Sequence, residues 1–464
     1  MIRIFRHYVP SSYLYQCLLE LLVLFLSVYL GVWLRFRGDL SAAQDAGPIL
    51  LNSLLLALIV TSSMAVMGLY HRHARDGFGG ILFRLVVSFA VSFLIMSSIY
   101  YFFPDAILGR GALALSFVVA VVGIGALRLG FYFLLGNESF KRRILVLGAG
   151  EKAKAIENTF RRKVDRHGFT IAAFIRMPDE SSMIRETVIE YDRPLIDMAK
   201  QFNVDEILVA MDERRDHMPM RELIDCRMAG IEIIELSSFF ERQAGKVMLS
   251  QLYPSWLAFS EGFRVGRDVF IAKRLFDVVV STLLLLVAWP LMLLTVLAIV
   301  LESRGTGGVL YRQIRVGQYG EDFNVLKFRS MITSSEKDGV ARWAKENDSR
   351  ITLVGKFIRA FRIDELPQLF NVLKGDMSFV GPRPERPEFV DQLSKSIAYY
   401  SERHRVKPGI TGWAQICYPY GASEKDSIEK LQYDLYYIKN YSLFLDLTII
   451  FQTAQAVLWH KGAR

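Results

Sequence analysis

The chain is 464 residues long, carries 56 Lys and Arg against 47 Asp and Glu for a net charge of +9, and is 52% hydrophobic with a mean hydropathy of +0.26. That length exceeds one ordinary core and fits roughly three units, and that hydropathy is high for a wholly soluble protein. The basic balance allows anionic lipid headgroups, phosphorylated substrates or nucleic acid as partners without choosing among them. Cys17, Cys226 and Cys417 lie far apart without C-x-x-C spacing and point to neither a disulfide framework nor a zinc site.

The N-terminus, MIRIFRHYVPSSYLYQC, is basic and runs into an apolar stretch too long for a signal-peptide core, with no small-residue cleavage site behind it. It reads as a retained membrane anchor. Apolar stretches at about 13–34, 49–70, 81–103 and 112–135 each approach the ~20 residues a helix needs to cross hydrocarbon. Arg3, Arg6 and His7 precede the first, His71, Arg72, His73, Arg75 and Arg84 separate the second from the third, and Lys141, Arg142 and Arg143 follow the fourth. The positive-inside rule makes these positions cytoplasmic. Arg35 and Arg37 run against the rule and are partly offset by Asp39 and Asp45. The alternative is a set of buried helices in a soluble bundle.

From residue 143 short β-branched runs, RILVLGAG, GFTIAAFI, DEILVAM and IEIIEL, alternate with polar helical segments, the pattern of a small parallel α/β domain ending near 240. The turn LGAGEKA places Gly148, Gly150 and Ala153 as a shortened dinucleotide fingerprint. The second strand ends FIRMPDE without a clear ribose-binding acid, so the turn serves either a nucleotide or the close packing of strand on helix. A linker of mixed character, 241–270, follows.

Residues 278–301, VVVSTLLLLVAWPLMLLTVLAIVL, carry no charge, and a helix of this length would reach roughly 36 Å, enough to cross. Both flanks are basic, with Lys273 and Arg274 before and Arg304, Arg312 and Arg315 after, which disfavours crossing. Pro290 falls at the centre, where proline removes a helix hydrogen bond and bends or breaks the helix. Two halves entering and leaving by the same face are therefore expected over about 274–301. A kinked but crossing helix is the alternative.

Next comes FRIDELPQLFNVLKGDMSFVGPRPE, in which Asp364 and Glu365 stand side by side among arginines. DELPQLFNVLKG reads as a short helix with Asp364 at or near its N-cap, Pro367 in the first turn and Gly375 ending it. An acid there is held ionised by free backbone N–H groups and the helix dipole, and the same helix end attracts phosphate. Cations are then needed, and Lys327, Arg329, Arg359, Arg362, Arg383 and Arg386 can supply them, as can magnesium, which suits carboxylate plus diphosphate. Adjacent carboxylates on a helix point apart and cannot flank a sugar as glycosidase acids do, but one can act as nucleophile beside the other. The plain alternative is an acidic helix start. No histidine pair stands at zinc-ligand spacing, and His404 is isolated in ERHRVKPG.

KRLFD, the proline-centred apolar segment, YRQIRVGQYGEDFNVLKFRSM, DELPQLFNVLKGDMSFVGPRPE and VKPGITGWAQ occur in this order over roughly 270–460. Together they closely resemble the monotopic phosphoglycosyl transferases, the bacterial sugar transferase family. The N-terminal part is similar to that of the long form that initiates exopolysaccharide or O-antigen assembly, and the branch associated with exopolysaccharide and exosortase gene clusters is suspected.

Three regions are expected: a four-helix transmembrane domain over 1–140, a Rossmann-like α/β domain over 141–240, and, after the 241–270 linker, an α-rich monotopic catalytic domain over 271–464, in which the resemblance implies a re-entrant helix. It also implies that Asp364 attacks the β-phosphate of a UDP-sugar, releases UMP and passes the sugar phosphate to undecaprenyl phosphate, with Glu365 assisting, Asp364 binding Mg2+ and Arg359 and Arg383 holding phosphate. The expected setting is the bacterial inner membrane with a multi-pass anchor, a cytoplasmic catalytic domain, no nucleic-acid partner and a possible homodimer.

One departure stands out. Many members follow ITGWAQ with an Asn-Gly-Arg turn, whereas this chain continues ICYPYGAS and has no arginine between Arg405 and Arg464. The rival classes are a membrane-anchored nucleotide-binding sensor or scaffold without turnover and a soluble-substrate phosphotransferase. The C-terminal SLFLDLTIIFQTAQAVLWHK, interrupted by Asp446, Gln452 and Gln455, reads as an amphipathic helix on the membrane surface.

Overall fold

A computed structural model describes residues 2–4, 7–9, 11–36, 47–70, 78–135, 141–160, 166, 168–178, 180–213, 218–252, 262–263, 266–332, 350–418, 421 and 423–458. Arg6, Arg37, Asp39, Asp45, His71, Arg72, His73 and Arg75, part of the expected charge asymmetry, lie outside the described residues, as do Asp179, Pro419, Tyr420 and Ala422. The chain forms two units, Val9–Gln243 and Ala244–Arg464, the latter together with Ile2–Tyr8. The short strands β1 (Ile2–Ile4) and β2 (His7–Val9) pair with each other.

The first unit begins with α1 (Ser11–Phe36), α2 (Ile49–Val66), α3 (Phe78–Phe102) and α4 (Arg110–Leu135). All four contain a stretch long and apolar enough to cross a membrane. Leu22, Leu58, Leu94 and Val122 point outward, as expected of helices surrounded by hydrocarbon rather than water. Gly31 lets α1 approach α4, because a Cβ there would lie 2.5 Å from the Ser116 nitrogen; small residues admit such close helix contacts. Between the helices, Arg128 pairs with Glu20 (Nε to Oε1, 2.9 Å), which also accepts from Gln16 (2.8 Å) and from the Tyr70 hydroxyl. An acid at this depth persists only with such partners.

The same unit continues as β3 (Arg142–Leu147), α5 (Glu151–Thr159), β4 (Phe169–Arg176), β5 (Val188–Glu190), α6 (Leu195–Gln201), β6 (Glu206–Val209), α7 (Met220–Met228), β7 (Glu232–Glu235) and α8 (Leu236–Ala244). Strand order is β5-β4-β3-β6-β7 and every pairing is parallel. The central β3 buries Ile144 to Leu147 on both faces, which explains its unbroken apolar run. The strand order reverses between β3 and β6, beside the Gly148–Gly150 turn.

The second unit opens with α9 (Arg267–Glu302), a single helix that contains Pro290. The expected break into two helices is not found. Proline deletes one hydrogen bond, to the Leu286 carbonyl, but its apolar neighbours offer the backbone no competing partner, so the helix resumes. Both ends of α9 are held by this unit. Near the start, Lys273 Nζ donates to the Val380 carbonyl (3.1 Å) and pairs with Asp446 (2.6 Å), Arg274 donates to the Val372 and Leu373 carbonyls (2.6 Å each), and Asp277 accepts from the Phe379 amide (3.0 Å). Near the end, Ile299 joins a cluster with Phe328, Ile358 and Ile363, and Glu302 accepts from the Val354 amide (3.1 Å).

An antiparallel hairpin, β8 (Leu310–Val316) and β9 (Asp322–Phe328), is followed by α10 (Leu353–Ala360), a 3-10 turn at Ile363–Glu365 and α11 (Gln368–Lys374). The remainder is β10 (Ser378–Val380), α12 (Pro387–Ser396), β11 (Gly409–Thr411), α13 (Trp413–Cys417), α14 (Glu424–Lys439) and α15 (Leu443–Leu458), with β10 and β11 parallel. Val380, Trp413, Leu435, Tyr436, Tyr437 and Ile449 form its core. The expected surface reading of the last helix needs correction at Asp446, which is fully buried and bonded to Lys273 and to the Tyr437 hydroxyl (2.8 Å). Its polar interruption faces inward.

Candidate active site

Helix α10 starts at Thr352, whose hydroxyl accepts from the Gly355 amide (2.9 Å), the usual N-cap arrangement. After Phe361 the backbone swings into the left-handed region at Arg362 (φ 58°), a conformation that costs a side-chain-bearing residue roughly 1–2 kcal/mol. The swing starts the 3-10 turn and buries Ile363 in the cluster with Ile299 and Phe328. The expected N-cap role for Asp364 is thus corrected: Asp364 lies in the 3-10 turn, α11 begins four residues later at Gln368 behind Pro367, and Gly375 (φ 102°) closes it. The pyrrolidine ring favours such a late start, since its missing N–H is harmless only in the first turn.

Other elements bring the cations. Asn371 of α11 accepts from the Leu326 amide (3.0 Å) and donates to the Asn324 carbonyl (2.8 Å), fastening α11 to β9 and fixing Lys327 beside the turn. The loop 381–386 supplies Arg383 and is tied at almost every carbonyl. Pro382 accepts from the Gly409 amide (2.9 Å), Glu385 from the Val316 amide (3.0 Å), Pro384 from Arg315 (3.0 Å) and Arg383 from Arg403 (3.0 Å). Arg403 is buried and held by Asp434 (2.9 Å) and the Tyr400 hydroxyl (2.8 Å).

The two carboxylates end in opposite environments. Three cations converge on one oxygen of Glu365: Lys327 Nζ at 3.1 Å, Arg383 Nη2 at 3.2 Å and Arg362 Nη1 at 3.8 Å from Oε1. Burial pushes this carboxyl up, but Lys327, Arg383 and Arg362 outweigh it and hold Glu365 well below the usual carboxylate range. Asp364 is 8% exposed and has no hydrogen-bond or ion-pair partner among the described residues. Burial first, then the charge of Glu365, push its carboxyl up to about 6, against the weaker pull of Lys327, Arg359 and Arg362. From the sequence a helix end is expected to lower this acid; the shift runs the other way, because burial and a neighbouring anion outweigh the one short turn. Adjacent acids whose environments separate their proton affinities have separate chemical roles.

Of the residues singled out in the sequence, Lys327, Arg362, Arg383, Asp364 and Glu365 meet here, and Arg359 acts on Asp364 through space. Arg329 is turned away, donating to the Thr306 carbonyl (3.0 Å), and Arg386 stands at the start of α12, where its charge is felt by Arg315. Arg315, Arg403 and the KRLFD residues that grip α11 and β10 went unassigned. The only sequence sign was the unusual density of charge beside short apolar runs. Among the described residues no group of three or more His, Cys, Asp or Glu could hold a metal. Glu365 Oε1 is taken, so Asp364 is the carboxylate left to face a divalent ion, which would need phosphate oxygens and water to complete its shell. Gly148 and Gly150 lie in the first unit, where the amides after them are bonded to Asp212 and Glu180.

A buried carboxylate beside a cluster of cations, in a unit whose long helix has an outward-facing apolar surface, fits a membrane-associated enzyme acting on phosphorylated substrates. Residues 268–460 match the bacterial sugar transferase family, and residues 65–223 match a family described as a CoA-binding domain. The chain is 40% identical over 296 residues to a UDP-N-acetylgalactosamine-undecaprenyl-phosphate N-acetylgalactosaminephosphotransferase of Aeromonas hydrophila, covering 63% of this chain and 68% of that one. It is 31% identical over 463 residues to a UDP-glucose:undecaprenyl-phosphate glucose-1-phosphate transferase of Klebsiella pneumoniae, covering 96% and 95%, and 34% identical over 363 residues to one of Escherichia coli (strain K12), covering 75% of each. The chain belongs to the bacterial sugar transferase family.

Proposed function

We propose that this protein transfers a sugar 1-phosphate from a UDP-sugar to undecaprenyl phosphate, releasing UMP, as an initiating step of exopolysaccharide or related glycoconjugate synthesis. The observation that carries this reading is the division of labour between Asp364 and Glu365. An Asp364 oxygen attacks the phosphorus that bears the sugar. A carboxylate O–P bond forms, the diphosphate P–O bond breaks, and UMP leaves with that electron pair. An oxygen of undecaprenyl phosphate then attacks the same phosphorus, and Asp364 departs as a carboxylate. Glu365 holds Lys327, Arg362 and Arg383 together, a cluster that would meet the charged phosphates. A magnesium ion at Asp364 would supply further neutralisation of the diphosphate.

The lipid acceptor fits the surroundings. Leu353, Phe357 and Phe361 leave the apolar side of α10 exposed, two to three residues before the site at its near end, and α9 exposes Leu286, Val287, Leu294 and Leu301. A helix that truly crossed would carry one of its ends to the far side of about 30 Å of hydrocarbon. Both ends of α9 instead bind the same polar unit, which supports a re-entrant course, and the basic flanks Lys273, Arg274, Arg304, Arg312 and Arg315 favour the cytoplasmic face of the inner membrane for that unit.

The test is UMP release by detergent-solubilised protein with magnesium, from UDP-N-acetylgalactosamine, UDP-glucose and UDP-galactose, with and without undecaprenyl phosphate. Sustained release that needs the lipid and is lost in Asp364→Asn is expected, together with a phosphosugar adduct on Asp364 when the lipid is withheld. A catalytically active Asp364→Asn variant would overturn the assignment.

A further inference from the structure

The α/β domain has the architecture that seats a diphosphate: a parallel sheet whose strand order reverses between β3 and β6, and a Gly148-Ala149-Gly150 turn leading into α5. In such folds the pyrophosphate lies in the crevice at the strands' carboxyl ends, against the backbone N–H groups that open the helix. Here those groups already have an anion. Asp212, just past β6, accepts from the Glu151 amide (Oδ2, 2.7 Å) and the Lys152 amide (Oδ1, 2.9 Å). Glu180, past β4, accepts from the Ala149 amide (Oε2, 2.9 Å). Lys152, the cation nearest the helix start, is spent on the Met211 and Asp212 carbonyls (3.0 and 2.9 Å).

Gly150 shows that the fit is close. A Cβ at that position would lie 2.0 Å from Asp212 Oδ2 and 2.9 Å from Glu180 Oε1. The backbone there has φ −87°, open to any residue, so the constraint is space alone. In the dinucleotide fingerprint the second glycine makes room for the pyrophosphate; here it makes room for a carboxylate of the chain itself. The acid that the second strand appeared to lack in the sequence is present as Glu180, but it faces the turn rather than a ribose.

We infer that Asp212 is a built-in anion occupying the diphosphate seat of the α/β domain, so that a diphosphate nucleotide enters only by displacing it. The inference is independent of the transfer reaction. It is tested with full-length protein by equilibrium dialysis against labelled coenzyme A, a nucleoside diphosphate derivative, comparing wild type with Asp212→Ala. The variant should bind at least tenfold more tightly than wild type. The catalytic unit is unchanged between the two, so any binding there cancels. Equal binding by the two proteins, whether strong or absent, overturns the inference.

Asp212→Asn keeps one acceptor oxygen for the turn and removes the charge, and it should show an intermediate gain if Asp212→Ala proves unfolded. Hydrogen exchange gives a check without substitution. The Glu151 and Lys152 amides should be protected in the nucleotide-free protein, and rapid exchange at both would show that the seat stands open.

Discussion

Asp364→Asn should stabilise the protein at neutral pH while removing its activity. In the unfolded chain the Asp364 carboxyl has its ordinary value of 3.8, and in the fold burial followed by Glu365 raises it to about 6. A raised acid favours folding only while it is protonated, so stability is highest below 3.8 and falls as pH climbs through the window to about 6. Each unit of that window is worth about 1.4 kcal/mol, which gives about 3 kcal/mol lost at pH 7.5 and about 1 kcal/mol at pH 4.5. Asparagine has the same shape without the charge, although its buried amide lacks partners and offsets about 1 kcal/mol of the gain.

The difference between the two pH values cancels that offset. Melting followed by intrinsic fluorescence in detergent, at a fixed scan rate, should show the gap between Asp364→Asn and wild type widening by about 2 kcal/mol from pH 4.5 to 7.5, roughly 4–8 °C for a unit of this size. A gap independent of pH, or a variant less stable than wild type at pH 7.5, would refute the assignment of Asp364 as a buried, unpaired carboxylate.

The rate of UMP release should fall about tenfold per pH unit below a value near 6, where Asp364 takes up its proton; in Glu365→Gln the acid limb should move to lower pH, since one of the two groups raising Asp364 is gone. Arg362→Gly should relieve the left-handed backbone and stabilise the fold by about 1 kcal/mol, yet raise KM for the UDP-sugar by loosening the cation cluster; an unchanged KM would remove Arg362 from the site. Arg403→Ala should lower kcat/KM at least tenfold by releasing the Arg383 carbonyl, with Arg403→Lys recovering part of it, as measured below the melting point of each variant. Lys273→Met leaves Asp446 buried without its cation and should cost about 3–5 kcal/mol, most of it restored in the double variant with Asp446→Leu; a melting-temperature cycle over the four proteins checks this.

Much of this was legible in the sequence because the relevant signals are local. The four N-terminal apolar stretches, the strands from RILVLGAG to IEIIEL and the grouping of Lys327, Arg362 and Arg383 around the acidic pair all depend on composition, spacing or motif. Partnerships across long sequence separations were not legible. Asp446 was read as surface because its cation, Lys273, is 173 residues away, and a hydrophobic pattern shows only that a polar residue interrupts it. Arg403 escaped notice for the same reason, lying 20 residues from the Arg383 carbonyl and 31 from Asp434. Pro290 was legible only in part: the sequence shows the lost hydrogen bond, while the surrounding medium decides whether the helix stops there.

The arginines around the acidic pair also shape its geometry. Successive residues of a 3-10 turn point about 120° apart, so one turn can aim neighbouring carboxylates at unlike surroundings. Arg362, forced left-handed, and Ile363, buried beside Ile299, set the direction of that turn. Glu365 then faces the hairpin lysine and the loop arginine, while Asp364 is buried without a partner among the described residues. In the proposed reaction the fully paired acid is too stabilised to be an effective nucleophile, and the unpaired one would be the more reactive because its ionised form is disfavoured. Exchanging the two residue types would leave the asymmetry in place, since it belongs to the positions; the chemistry should follow position 364 whichever acid stands there, weakened by the changed reach of the side chain.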